Sequence, residues 1–333
     1  MNQVARLSEF DLNELFLQTA DKMKLSPAIV EKDFWVCWML DYLFSRSPWK
    51  KQLAFKGGTS LSKAYGLIKR FSEDIDLILD WRLLGYGIKE PWEARSNTQQ
   101  DLFNEKANAR SAAFLGEVFV PRMKADLERE LGSELAIAMD EHDPNTVVFR
   151  YPYAYSDSAI LREIRLESGA LAAWTPAAYH AVRPYAADFY PQLFKRPETQ
   201  VHTVAPERTF WEKVTILHRE AMRTPERGTM PTRYSRHYYD LWCMVQSGTK
   251  DAALKKMELL EEVVAFKRKF YRCTWAQYDR ATRKEIRLLP PEHAHAILKD
   301  DYRHMQNMIF GPKPTYDEIL TSIADLEEEI HGC

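Results

Sequence analysis

The sequence predicts an α+β domain with a small mixed sheet and flanking helices, followed by a mainly helical second half. Three observations carry this expectation. Ile75, Leu77 and Leu79 recur at every second position after Asp74, as in a strand. A glycine pair, Gly57-Gly58, separates a short apolar run from a helix-like segment. From Ala205 onward the apolar spacing is helical nearly throughout, so strand signals are confined to the first part of the chain.

Taken in order, two helices open the chain. Ser8, with Asp11 three residues on, is a capping-box variant ahead of Phe10, Leu12, Leu15 and Phe16. Ser26-Pro27 starts a second helix through Ile29, Phe34, Trp38, Leu40 and Phe44, with proline in its tolerated first position. A short strand at 53–55 leads through Lys56-Gly57-Gly58 into a helix over about 59–69, and 74–79 is the alternating strand. Residues 98–131 are helical with a break at Pro121, and strands are expected at 134–139, 146–151 and 159–167. Residues 170–200, rich in Ala, Pro and Tyr, suggest an irregular packed connection. Helices then follow at 206–222, 234–246, 252–270, 292–306 and 316–330. The expected division is a catalytic α+β domain over 1–200 and a helical domain over 201–333 that completes its active site.

Bulk properties exclude several classes. The 333 residues can bury a substantial core, and 45% hydrophobic with 28% charged residues is ordinary for a soluble globular chain. A formal net charge of −2 gives no global attraction to nucleic acid or anionic membranes, so any polyanion site must be local. Cys37, Cys243, Cys273 and Cys333 form no CxxC pair, which argues against a zinc knuckle or a disulfide framework. Arg6, Glu9, Asp11 and Glu14 interrupt the apolar core a signal peptide would need, and no run approaches the length of a membrane span. The expected location is cytoplasmic.

The chemistry concentrates in Lys56-Gly57-Gly58-Thr59-Ser60 and Arg70-Phe71-Ser72-Glu73-Asp74-Ile75-Asp76. Glycines between a strand and a helix let backbone N–H groups approach an anion, and Thr59 and Ser60 can add hydroxyl donors. Asp74 and Asp76, two apart on a strand, project from one face. Carboxylates so placed repel each other unless a cation lies between them, and Mg²⁺ binds few carboxylates together with substrate phosphates. The order and separation of the two motifs point to a phosphate-and-metal site.

On these residues the chain resembles the AbiEii/AbiGii-type nucleotidyltransferase toxins, within the DNA polymerase β-like nucleotidyltransferase superfamily. The resemblance extends to Glu31-Lys32-Asp33-Phe34-Trp35, Arg208-Thr209-Phe210-Trp211-Glu212-Lys213, Arg236-His237-Tyr238-Tyr239-Asp240-Leu241, and Asp301-Tyr302-Arg303-His304-Met305 leading to Phe310-Gly311. One departure is the gap of fifteen residues between Gly58 and Asp74, longer than usual for the superfamily but suited to this branch. The resemblance implies a polymerase β-like core, a third acid from a neighbouring strand, and a lysine that contacts the triphosphate. Glu167, at a strand end beside Gly169, is the favoured third acid, with Glu163 the lesser candidate; the alternative is a polar strand face whose Glu and Arg side chains pair. Lys213 sits beside the apolar stripe Phe210, Val214, Leu217 and takes the triphosphate role by resemblance, against a solvated flank. Asp240 either pairs with Arg236 within its helix or completes the active site by orienting Lys213 or the nucleotide. Ser72 is a phosphate contact, a modification site or a turn hydroxyl, and Glu31-Lys32-Asp33 a packing and salt-bridge cluster, with Lys32 a lesser candidate for nucleotide contact.

The expected set is therefore Asp74, Asp76 and Glu167 for Mg²⁺; Lys56, Gly57, Gly58, Thr59, Ser60, Ser72 and Lys213 for the nucleotide; and Asp240 in support. Basic stretches at 195–237 and 266–288, the second interleaved with Tyr271, Trp275 and Tyr278, suit an RNA acceptor. By resemblance that acceptor is the tRNA 3′ end, and the protein is a toxin of a toxin–antitoxin or phage-defence system with a winged-helix antitoxin. The rival readings are γ-phosphate transfer to protein in the same site, and a catalytically silent binding module.

Overall fold

The computed structural model describes residues 1–157, 160–169 and 175–332. The chain divides into two compact units: Met1–Ala64 with Ser72–Val204, and Tyr65–Phe71 with Ala205–Cys333.

The first unit is built on a seven-stranded mixed sheet. Its strands are β1 (Leu53–Lys56), β2 (Ile75–Leu79), β3 (Ala136–Met139), β4 (Thr146–Arg150), β5 (Ile164–Gly169), β6 (Ala177–Val182) and β7 (Thr199–Val204). Their spatial order is β3-β4-β5-β2-β1-β7-β6. β2 lies antiparallel to β1 and parallel to β5, at the centre of the sheet. Alternation sorts the two faces. Leu53, Phe55, Ile75, Leu77, Ile164 and Leu166 join the main core with Phe34, Trp35 and Trp38, whereas Ala54, Ile78 and Val204 form a small separate cluster. Asp76, two residues before Ile78, shares that second face and is kept out of the main core.

The helix Pro27–Asp41 is apolar nearly all round and buried along its whole length. Its three charged residues, Glu31, Lys32 and Asp33, are each no more than 3% exposed, and all are satisfied locally. Lys32 Nζ donates to Glu73 at 2.7 Å and to the Leu161 carbonyl at 2.8 Å. Asp33 accepts from Lys63 at 2.6 Å and from the Tyr185 amide at 2.7 Å. Glu31 accepts the amides of Ala154 and Tyr155 at 2.7 and 3.2 Å. The expected packing and salt-bridge role of this triplet is what the structure contains.

The second unit is helical: Pro206–Ala221, Ser235–Val245, Thr249–Leu254, Met257–Phe270, His295–Met305 and Tyr316–Gly332. The Tyr65–Phe71 segment belongs to it through backbone pairing. The Phe71 amide donates to the Met308 carbonyl at 2.8 Å, and the Phe310 amide to the Lys69 carbonyl at 2.9 Å. At Gly311 a Cβ would lie 2.1 Å from Lys69 Cβ, so only glycine admits this approach.

Several element boundaries differ from the sequence expectation. The helix expected over 59–69 is Gly57–Lys63, because the chain after Ala64 turns at Gly66 (φ +63) into the excursion. Residues 170–200 are not an irregular connection: β6 and the start of β7 lie there, while 170–174 fall outside the described residues. β6 is a sheet-edge strand in which only Val182 is buried, so it lacks the apolar alternation that reveals a strand. The strand expected at 159–167 is β5, beginning at Ile164; Ala159 falls outside the described residues. Pro121 does not break the helix, because a π-helical segment at Leu115–Phe119 carries it into Val120–Leu131 with proline in the first turn. The helix expected at 252–270 is two helices, Thr249–Leu254 and Met257–Phe270. Among the described residues, no helix is long and apolar enough to cross a membrane.

Burial pushes the Glu31 carboxyl up from its ordinary 4.5 to about 7, against the lowering effect of its two amide donors. The folded state therefore holds a proton that the unfolded chain releases, so this residue's contribution to stability declines as pH rises from 4.5 to 7 and is level above. Glu31→Gln, which keeps an acceptor without the charge, is expected to remove that decline when Tm is measured across this range.

Candidate active site

In the sheet unit the two sequence motifs meet at one contact. Gly57 leaves β1 with φ +80, a left-handed conformation that L side chains rarely adopt. A Cβ at this position would stand 1.8 Å from Asp76 Oδ2, so the Asp76 carboxylate lies directly against the glycine backbone. Register extends this neighbourhood across the sheet. Asp76 is the Cα partner of Lys56 on β1 and of Glu167 on β5. Lys56, Asp76 and Glu167 thus form one row on one face, with Asp74 just before β2.

Thr59 and Ser60 are fully buried, and their hydroxyls bind protein atoms. Thr59 Oγ1 donates to the Asp74 carbonyl and lies 3.0 Å from Ser72 Oγ. Ser60 Oγ donates to the Gly57 carbonyl at 2.8 Å. These hydroxyls brace the glycine turn against the segment carrying the aspartates. Ser72, Asp74 and Asp76 are half-buried, alternating with buried Glu73, Ile75 and Leu77. Glu73 points the other way, into its pair with Lys32. The sequence reading did not single out Glu73; its place between Ser72 and Asp74, out of phase with both, was the available signal.

The two third-acid candidates separate clearly. Glu163 lies before β5 and pairs with Arg150 at 3.3 Å and Arg165 at 3.5 Å. Arg165 also pairs with Asp140 at 2.7 Å, so this end of the strand is the self-neutralised polar face. Glu167 is exposed and in register with Asp76. Among the described residues no group of three or more His, Cys, Asp or Glu side chains is already gathered around a metal position. A carboxylate row pressed against a glycine backbone still fits Mg²⁺, which retains waters and takes part of its coordination from substrate phosphates.

In the helical unit the focus is Asp240, fully buried on Ser235–Val245. Arg70 grips it with two bonds, Nε to Oδ1 at 2.6 Å and Nη2 to Oδ2 at 2.8 Å. Lys213 Nζ donates to Oδ2 at 2.8 Å. Its partners are therefore Arg70 and Lys213, in place of Arg236. Burial alone would raise the Asp240 carboxyl, but the two cations reverse that and hold it well below the usual carboxylate range. Burial lowers Lys213, with Asp240 opposing and Arg70 adding to the effect. Lys213 is 6% exposed and is not a solvated flank. Arg70 was not among the expected site residues; an arginine two residues before Ser72 carries no periodicity that reveals its partner.

In the stretch after Phe266, Trp275 and Tyr278 are engaged within this unit, while Arg268, Arg272, Arg283, Lys284 and Arg287 are exposed. Arg219 and Arg223 lie over the Trp275 ring at 5.1 and 4.8 Å, Tyr278 is buried, and Tyr271 remains exposed with Lys267 over its ring.

Two substitutions test these arrangements. Gly57→Ala forces a side chain into a left-handed residue, costing about 1–2 kcal/mol, and displaces Asp76; urea denaturation is expected to show at least that loss. Asp240→Asn leaves two buried cations sharing a neutral partner, and a loss of about 3–5 kcal/mol in the same measurement is expected.

No match emerges among curated proteins. Among solved structures, the chain is similar to MenT4, a nucleotidyltransferase toxin from Mycobacterium tuberculosis H37Rv, at 17% identity and a TM-score of 0.45, covering 96% of this chain and 97% of that one. A family model described as nucleotidyl transferase AbiEii toxin, type IV TA system, matches residues 38–322. The chain thus belongs to the AbiEii family and is a nucleotidyltransferase toxin of the type IV toxin–antitoxin class.

Proposed function

We propose that this nucleotidyltransferase moves a nucleoside monophosphate from a Mg²⁺-bound nucleoside triphosphate onto an RNA acceptor, the tRNA 3′ end by family resemblance. The observation that supports the proposal is the Asp76 carboxylate lying against the Gly57 backbone, which brings the glycine turn and the Asp-x-Asp strand to one point. Asp74, Asp76 and Glu167 would hold Mg²⁺, which supplies charge neutralisation of the triphosphate and a lowered pKa for the attacking hydroxyl. The backbone at Gly57-Gly58, with Lys56 beside it, orients the phosphates. Thr59 and Ser60 keep that turn rigid, which limits the reorganisation needed as charge develops. Ser72, half-buried next to Thr59, is a phosphate contact in this reading.

Lys213 is proposed as the triphosphate-contacting cation of the helical unit, held by Asp240 in the orientation that its 2.8 Å bond sets. A compact ammonium on a buried carboxylate presents its remaining donors in fixed directions, which favours positioning over loose charge attraction. A winged-helix antitoxin is the expected genetic partner.

Incubation with α-labelled triphosphates, Mg²⁺ and bulk cellular RNA is expected to label RNA. Asp74→Ala and Asp76→Ala should each lower labelling by at least about a hundredfold, the scale of losing a preorganised charge-stabilising group. Labelling of acceptor by these variants at the wild-type rate overturns the reading. Transfer of γ-label in place of α-label assigns phosphoryl transfer instead.

A further inference from the structure

The helix Met257–Phe270 turns two different faces to its surroundings. Leu259, Leu260, Val263, Phe266 and Phe270 recur at helical spacing and are buried. Met257, Glu261, Val264, Ala265 and Arg268 form a second stripe on the outward side, where Glu261, Ala265 and Arg268 are exposed. This stripe lines one side of a groove of about 400 Å³. Tyr278 and Ala281, both buried, underlie the groove, and the exposed Asp279 and Arg283 stand on its other side.

The charges along this helix are sorted by sign. Glu258, Glu261 and Glu262 fall in its first half, Lys267, Arg268 and Lys269 in its second. The helix dipole favours that order, so order alone identifies no partner. Position on the groove adds what the dipole does not explain. Glu262 pairs with Arg208 at 3.4 Å and Lys267 lies over the Tyr271 ring, so both are used within the chain. Glu261 and Arg268, on the groove, have no ion-pair partner among the described residues, and neither do Asp279 and Arg283 opposite.

The spacing of Glu261 and Arg268 makes the stripe complementary to itself. The two are seven residues apart, with Val264 and Ala265 midway between them. Turned end for end about that midpoint, the stripe presents a base where the original has an acid. Two copies packed antiparallel therefore bring Glu261 of each against Arg268 of the other. Val264 and Ala265 meet at the crossing, where a small side chain lets two helices approach closely. A small ion would find both signs of charge on this rim, whereas a second copy satisfies both at once.

We propose that this groove is an interface between two copies of the chain, formed by antiparallel packing of Met257–Phe270 with reciprocal Glu261–Arg268 pairs. Neither residue belongs to the candidate active site, and the proposal does not rest on the nucleotidyl-transfer reading.

The test is sedimentation equilibrium of the full chain over a concentration series. Wild type is expected to associate to a dimer, more weakly as salt is raised, because pairs at a rim are screened. Glu261→Arg and Arg268→Glu each turn both reciprocal pairs into like-charge contacts, and each variant is expected to dimerise at least about tenfold more weakly. An equimolar mixture of the two variants is expected to recover the dimer, since both contacts across the axis are then opposite in sign. The chain carrying both substitutions should also dimerise as wild type does, its acid and base having exchanged places. Both side chains are exposed, so the circular dichroism spectrum of each variant should match wild type, which separates lost association from lost folding. Wild type that stays monomeric throughout, the outcome expected of a groove that serves a small molecule or a different protein, overturns the proposal. So does association that neither single variant weakens, or a mixture that fails to recover it.

Discussion

The sheet unit depends on a single close approach: a carboxylate resting where a Cβ would be. Gly57 serves two purposes at once. Its missing side chain leaves the space that Asp76 fills, and its left-handed backbone turns the chain from β1 into the following helix. Lys56 and Glu167 flank Asp76 through the register of three adjacent strands, so this charged row follows from strand pairing and not from loop conformation. Such a site is as rigid as the sheet that carries it.

The buried charges follow a different logic in each unit. Around the Pro27–Asp41 helix every charged group has a local partner, so the network is closed: Lys32 with Glu73, Asp33 with Lys63, Glu31 with two amides. In the helical unit one carboxylate serves two cations, and further arginines line an adjacent pocket.

Much of this was legible in the sequence, for identifiable reasons. The Asp-x-Asp strand and the diglycine turn were visible because period-two alternation and glycine punctuation are local signals. The preference for Glu167 over Glu163 came from position at a strand end; in the structure Glu167 is in register with Asp76, while Glu163 pairs with Arg150 and Arg165. What stayed hidden is non-local. Arg70 reaches Asp240 across 170 residues of sequence, and β6 is an edge strand in which only Val182 is buried, which gives no alternation. The early end of the helix after Gly57 had a cue in Gly66, but only the pairing of Lys69 and Phe71 with residues 308–311 explains why the chain leaves the helix there.

That excursion bears on how such a protein could have arisen. The helical unit is not simply the C-terminal stretch of the chain, because seven residues from between the two halves of the glycine–aspartate motif belong to it. Among them is Arg70, the bidentate partner of Asp240. A gene fusion that appended residues 205–333 to a finished sheet domain would supply Asp240 and Lys213 without the guanidinium that grips them. Residues 205–333 by themselves therefore lack one of the three groups of the buried charge cluster around Asp240.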